Sequence, residues 1–86
     1  MIPLHGFLEG DTLVLLVLAR EQDTAADLAR KLEEAAALRA APAGATRVWV
    51  RGERLAPHVT VAAAGLKALD RFDVRFERGG GEAARP

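Results

Sequence analysis

The segment Arg71-Phe72-Asp73-Val74-Arg75-Phe76-Glu77 alternates charged and apolar residues and leads directly into Arg78-Gly79-Gly80-Gly81. Alternation with a period of two is typical of a strand with one buried face. A run of glycines can thread a narrow channel because it has no side chains, and it is equally typical of a frayed terminus. The sequence therefore predicts a folded domain over residues 1–77 and a flexible glycine-rich tail over residues 78–86.

The composition limits the class of protein. The chain has 86 residues, of which 50% are hydrophobic, with 12 basic and 12 acidic residues and no cysteine. This balance lacks the positive charge of a nucleic-acid or anionic-membrane binder, and a disulfide framework or thiolate site is excluded. The apolar run from Leu13 to Ala19 is too short to span a membrane. We expect one small cytoplasmic domain, and a composition rich in Ala and Arg suggests a bacterial source.

Local patterns predict the order of the elements. Thr24 precedes an apolar face that recurs at helical spacing, and Asp27 follows three residues later, which is a helix-capping signal. Pro42 and Gly44 mark where this helix must have ended. The predicted elements are strands at residues 2–8 and 12–18, a helix from Thr24 to about Leu38, strands at 47–51 and 54–55, a helical turn at 60–66 and the last strand at 71–77.

This order predicts an α+β fold, with a mixed sheet of four to five strands packed on one helix. Pro3 predicts that the first strand is an edge strand, or has a bulge near Gly6, because proline cannot complete the pairing of a central strand. Leu28 and Leu32 of the helix should face the sheet. The sheet residues expected in the same core are Val48, Val50, Phe72, Val74 and Phe76.

From residue 1 to residue 81 the chain resembles ubiquitin-like β-grasp proteins, including bacterial ubiquitin-like modifiers. The likeness is carried by Leu8-Glu9-Gly10-Asp11-Thr12 in the first hairpin, by Asp23-Thr24 at the helix start, by the hairpin from Arg47 to Leu55 and by the glycine tail. The glycines also stand at the ubiquitin distance from Phe72. The resemblance implies a β-grasp fold and, as the favoured interpretation, a protein modifier with a di-glycine tail.

For a modifier, the resemblance implies partners that carry out the chemistry. A deubiquitinase-like peptidase would remove residues 82–86, and an activating enzyme and a conjugating enzyme would attach the product through an isopeptide bond. Gly79, Gly80 and Gly81 would be the processing and conjugation residues, and Lys31 and Lys67 would be the available acceptor lysines.

A second family is similar to the chain: the small B subunit of toluene 4-monooxygenase-type diiron hydroxylases, which is also a β-grasp protein. The likeness lies in the gapless run from Asp11 to Thr24 and in Val61-Ala62-Ala63-Ala64-Gly65-Leu66. Residues 13–18 are apolar at both odd and even positions, so both faces of this strand are apolar. The face turned away from the core indicates an interface, unless the N-terminal segment or the tail covers it. This resemblance implies, as the alternative function, a non-catalytic subunit bound to diiron hydroxylase subunits.

The resemblance to ubiquitin also places Trp49 at the centre of the ubiquitin recognition patch, with Leu8 on the adjoining loop. Strand alternation agrees for Trp49, because Val48 and Val50 should face the helix. Arg75 stands where ubiquitin has an aliphatic residue. The residues expected to bind a partner or a second copy of the chain are Leu8, Arg47, Trp49 and Arg75, with Val14 or Leu16 in the same patch.

The sequence contains no recognisable catalytic or metal-binding constellation. His5 and His58 lie in different segments without acidic partners at metal-ligand spacing. Asp70 and Asp73 border a strand, where solvated carboxylates are the default. We therefore expect a protein that is not an enzyme and needs no cofactor.

Overall fold

The computed structural model describes residues 1–37 and 45–77. The elements in chain order are β1 (Ile2–Leu8), β2 (Val14–Ala19), α1 (Ala25–Ala35), β3 (Thr46–Val50), β4 (Glu53–Arg54) and β5 (Arg71–Phe76). The strands form one sheet in the order β2-β1-β5-β3-β4, in which β1 is parallel to β5 and the other neighbours are antiparallel. The predicted α+β fold, a mixed β-grasp sheet with one helix, is confirmed.

Helix α1 begins where the capping signal predicts. Thr24 Oγ1 accepts a hydrogen bond from Asp27 N at 3.2 Å, and Asp27 Oδ2 accepts one from Thr24 N at 2.9 Å. The bond from the Thr24 amide, together with the Arg30 guanidinium 2.9 Å away, lowers the pKa of Asp27 from 3.8 to about 2. The helix ends at Ala35 with Ala36 as its cap, about three residues before the predicted end near Leu38.

The core lies between α1 and one face of the sheet, as predicted. Leu28 and Leu32 are buried in one hydrophobic cluster with strand residues of β3 and β5, because both leucines recur on the apolar face of the helix. Phe76 is only partly buried and packs at the margin of this core. The buried strand residues that the sequence assigned to the core are Val48, Val50, Phe72 and Val74.

Gly6 stands in the middle of β1 because a side chain does not fit there. It pairs with Phe72, whose ring is fully buried. A Cβ atom on Gly6 would lie 2.8 Å from Phe72 Cζ and 3.1 Å from Leu32 Cδ1, well inside van der Waals contact. Glycine therefore lets the ring fill the space between β1 and the helix.

β1 is a central strand, which corrects the edge position predicted from Pro3. It pairs with β2 along its length, whereas its pairing with β5 begins only at His5. The His5 amide donates to Asp70 O at 2.9 Å, so the backbone groups of Pro3, two residues earlier, point to the same side. Pro3 O accepts from Leu69 N at that position, and the absent N–H of Pro3 removes no bond of the β5 ladder.

The connection between β4 and β5 closes one end of the core. Thr60 forms a bridge with Thr24 at the helix start, and Val61 N donates to Asp23 O at 2.8 Å. Ala64 N donates to Thr60 O, as in one helical turn, and Gly65 follows with a φ of 71°. The predicted helical turn closed by a glycine is therefore present.

Candidate protein-interaction surface

One face of the sheet packs on α1, and the opposite face, here called the open face, is left uncovered by the described residues. Alternation along each strand places every second residue there. The half of the open face formed by β2 and β1 is mainly apolar, and the half formed by β5, β3 and β4 is charged. The open-face residues are Val14, Leu16 and Leu18 in β2, Pro3, His5 and Phe7 in β1, Arg71, Asp73 and Arg75 in β5, Arg47 and Trp49 in β3, and Arg54 in β4.

The apolar strip, defined as Val14, Leu16 and Leu18, forms the outer margin of the open face. The exposed fractions of these side chains are 48%, 60% and 52%. At the alternate positions of the strand, Val17 and Ala19 are buried and Leu15 is partly buried against the core, so the strand has an inner and an outer face although its sequence is apolar throughout. The expectation that one face of this strand stays outside the core is therefore confirmed, and three large aliphatic side chains are available for contact.

The backbone of β2 adds hydrogen-bonding groups at the same three positions. Leu8 O accepts a hydrogen bond from Asp11 N on the β2 side, whereas the amide of His5 donates to Asp70 O on the β5 side. The backbone groups of the even-numbered residues of β1 therefore face β2, and those of the odd-numbered residues face β5. In the observed register Leu16 lies opposite His5 and Leu18 opposite Pro3, so their backbone groups point to the free edge of the sheet. Lys31 Nζ donates to Leu18 O at 3.0 Å and caps one of these groups.

The charged half is organised around Asp73. Its carboxylate lies 2.7 Å from Arg71 Nε and 3.8 Å from an amino group of Arg75. The Arg71 guanidinium lies 5.3 Å from the centre of the Phe7 ring, and the Arg75 guanidinium 4.7 Å from the Trp49 ring, both within cation–π range. We call these five residues the arginine–aromatic cluster. It joins β1, β5 and β3 across the open face.

A pocket of about 350 Å³ opens beside this cluster. It is lined by Trp49, Arg71, Asp73 and Arg75 together with residues of the β3–β4 turn and the start of β5. Gly52 supplies the turn with a φ of 82°. At the turn, Arg51 donates to Ala64 O at 2.8 Å and lies 3.9 Å from the Asp70 carboxylate, so the pocket wall is fixed to the β4–β5 connection.

The predicted partner-binding residues fall into two groups. Trp49 points away from the helix as predicted, with Arg47 and Arg75 directly opposite each other on the neighbouring strands. Leu8 is only 1% exposed, and its predicted surface position is wrong. Because β1 continues through residue 8, the side chain of Leu8 points to the same side of the strand as that of Leu4, and it packs in the core. The alternation of Leu4, Gly6 and Leu8 in the sequence was the signal for this placement.

The predicted single patch of Trp49 with Val14 or Leu16 is also wrong. Trp49 lies in β3 and the other two residues in β2, and both β1 and β5 separate these strands in the sheet. The sequence did not predict Arg71 or Phe7 as part of the binding surface, and it indicated Asp73 only as a solvated carboxylate. Their signal was the alternation in residues 71–75, which places Arg71, Asp73 and Arg75 on one face.

The residues singled out for modifier chemistry are placed only in part. Lys31 Nζ lies 2.8 Å from Asp23 Oδ2, and this contact lowers the pKa of Asp23. Lys67 is exposed in the connection before β5. Gly79, Gly80 and Gly81 lie outside the described residues, and the conjugation roles stay predictions.

The described ranges 1–37 and 45–77 contain no group of three metal-ligating side chains. Nor does any helix within them have the length and apolarity needed to cross a membrane. His5 is exposed on the open face opposite Leu16, and His58 is exposed in the β4–β5 connection. The surface assembled by the fold is thus suited to binding through apolar, aromatic and guanidinium groups.

Comparison with known proteins identifies the family. The family model described as toluene-4-monooxygenase system protein B (TmoB) matches residues 1–76. The chain belongs to the TmoB family. A chain in the structure of the toluene 4-monooxygenase HD complex with the inhibitor 4-bromobenzoate is 31% identical, with a TM-score of 0.80 over 88% of this chain and 98% of that one. A search of curated proteins gave no significant match.

Two further structures share the fold of this TmoB family member. Caldiarchaeum subterraneum ubiquitin is 18% identical, with a TM-score of 0.70 over 93% of this chain and 98% of that one. ATBAG1, from a complex with HSP70, is 9% identical, with a TM-score of 0.68 over 86% of this chain and 39% of that one. Both resemblances drawn from the sequence are therefore confirmed at the level of the fold.

The TmoB match changes the balance between the two functional interpretations. The match ends at residue 76, before Gly79, and none of the reported comparisons supports a di-glycine modifier role. The alternative, a subunit of a toluene 4-monooxygenase-type complex, is the better supported interpretation.

Proposed function

We propose that the chain is the small, non-catalytic B subunit of a toluene 4-monooxygenase-type diiron hydroxylase complex. The observation that carries the proposal is the TmoB match over residues 1–76, together with the 31% identical chain in a toluene 4-monooxygenase structure. The partners are the large hydroxylase subunits, and the diiron chemistry belongs to them. The chain itself supplies a binding surface.

The physical character of the domain supports a binding role. Three aliphatic side chains of β2 are about half exposed on one margin of the sheet, and a half-buried tryptophan lies towards the other. The buried centres of protein interfaces are more apolar than the rest of the surface, and aromatic residues and arginine are enriched there. Among residues 1–37 and 45–77, no group of three side chains could hold a metal ion.

Co-expression with the large hydroxylase subunits tests the proposal. The tagged chain should co-elute with them at a fixed ratio in size-exclusion chromatography with light scattering. Toluene oxidation should require the large subunits, and the chain alone should have no activity. Elution of the chain as a free 9.2 kDa protein in the presence of folded hydroxylase would refute the proposal.

The same preparation separates this function from the modifier interpretation. A variant with Gly80→Ala and Gly81→Ala should assemble and support turnover like the wild type, because the TmoB match does not include these residues. Loss of residues 82–86 and covalent adducts, both abolished in that variant, would instead favour a modifier.

A further inference from the structure

We infer that the open face of the sheet is the surface that docks on the large hydroxylase subunit, and that the partner surface is apolar opposite β2 and acidic opposite β5 and β3. This inference rests on the proposed function and adds which face binds and what chemistry it meets. The helix offers no large exposed aliphatic side chain for the apolar contact, because Leu28 and Leu32 are both buried in the core.

The charge on the open face favours an acidic partner. Beyond the apolar strip, four arginines, Arg47, Arg54, Arg71 and Arg75, face two carboxylates, Asp73 and Glu77. The exposed fractions of the Arg54, Arg71 and Arg75 side chains are 53%, 56% and 49%, whereas those of Asp73 and Glu77 are 23% and 34%. The Arg47 side chain is 27% exposed. Three of the four arginines are therefore more exposed than either carboxylate, and the surface presented to a partner is positive although the whole chain is formally neutral.

The arginines are also held in position before binding. Asp73 fixes Arg71 at 2.7 Å, and the rings of Phe7 and Trp49 support the guanidinium groups of Arg71 and Arg75. A guanidinium stacked on an aromatic ring keeps free N–H groups at its rim for a carboxylate. Preorganisation of this kind reduces the conformational entropy lost on binding.

The size of the open face indicates that a specific interface would need the whole of it. Four strands, β2, β1, β5 and β3, of about six residues each cover roughly 20 by 20 Å before side-chain relief is counted. A stable interface uses about 800 Å² of accessible surface per partner. A contact formed only by the apolar strip, or only by the arginine–aromatic cluster, would bury much less than that area. We therefore expect both halves of the open face to contact the partner together.

Binding of full-length variants to the hydroxylase lacking this chain tests the inference. Two variants change the open face: Arg71→Gln with Arg75→Gln, and Leu16→Lys. A matched control removes two positive charges elsewhere, with Arg30→Gln on α1 and Lys67→Gln in the β4–β5 connection. Biolayer interferometry at 50 and 500 mM salt gives the affinities, and circular dichroism verifies that each variant is folded.

Each open-face variant should raise Kd at least tenfold, and the control variant should change it less than twofold. The wild-type Kd should rise with salt, and the double arginine variant should lose most of that dependence, because screening acts on charged contacts. Wild-type affinity in both open-face variants would overturn the inference and leave the proposed function standing. No binding by the wild type would refute both.

Light scattering of the chain alone distinguishes the other occupant, a second copy. The chain should be a 9.2 kDa monomer at the concentrations used for binding. A dimer that Leu16→Lys dissociates would show that the strip joins two copies of the chain, which contradicts the inference.

Discussion

Replacement of Gly6 by alanine should destabilise the domain through a single added methyl group. The new Cβ would lie 2.8 Å from Phe72 Cζ and 3.1 Å from Leu32 Cδ1, and neither of these side chains can yield easily because both are fully buried. Overpacking of this kind costs about 1–3 kcal/mol. Loss of glycine freedom in the unfolded chain offsets about 0.4–1 kcal/mol of that.

A net loss of about 1–2 kcal/mol corresponds to a fall of roughly 4–15 °C in Tm for a domain of this size. Thermal and urea unfolding followed by circular dichroism measure it. Phe72→Leu removes the ring atoms that the methyl group meets, so Gly6→Ala should cost less in that background than in the wild type. An unchanged or higher Tm for Gly6→Ala, or additive effects in the double variant, would refute the packing that we describe at β1.

Four further predictions concern the core, the helix cap and the open face. Leu32→Ala should lower the free energy of unfolding by about 2–5 kcal/mol because Leu32 is fully buried, and an unchanged urea midpoint would contradict the core assignment. Asp27 has its pKa lowered to about 2 in the folded protein, so its stabilising contribution is complete above pH 3.8 and is lost as the pH falls towards 2. The Tm difference between wild type and Asp27→Asn should therefore close over that interval, and a constant difference would refute the capping role. Arg75→Ala should make Trp49 more accessible to acrylamide quenching, since the guanidinium covers the ring, whereas equal quenching would show that the stacking is absent in solution. Trp49→Ala should weaken hydroxylase binding by more than about 1 kcal/mol without unfolding the domain, and wild-type affinity would exclude Trp49 as an anchor.

The helix was predictable from the sequence because its determinants are local. The capping box of Thr24 and Asp27 and the spacing of Leu28 and Leu32 act within a few residues of one another. The alternation in β3 and β5 likewise predicted which of their residues enter the core. The alternation of apolar and polar residues identifies the buried face of a strand correctly where the strand boundaries are known.

Strand order and surface composition were not predictable in the same way. Pairing of β1 with β5 joins residues more than sixty positions apart, and only this contact makes β1 central despite Pro3. Leu8 was assigned to the surface by its resemblance to a loop of ubiquitin, but in this chain the strand continues through it. The same order of strands separates Trp49 from Leu16, which no local pattern reveals.

The two functional interpretations rest on different parts of the chain. The glycines after Glu77 favoured a modifier, whereas the features shared with the B subunits lie in the folded part, at β2 and in the β4–β5 connection. The match to the TmoB family extends through residues 1–76, so it includes the core, the edge strand β2 and the open face. A glycine run after the last strand does not depend on the core or on the surface of the sheet. It therefore carries less information about the function of the fold than the match over residues 1–76 does.

Native mass spectrometry of the protein, produced together with its genomic neighbours, tests the central claim most directly. We expect the full-length chain of 9.2 kDa, with residues 82–86 intact, in a stoichiometric non-covalent complex with large diiron hydroxylase subunits. A chain that ends at Gly81 and is covalently attached to other proteins, without any hydroxylase complex, would contradict the account.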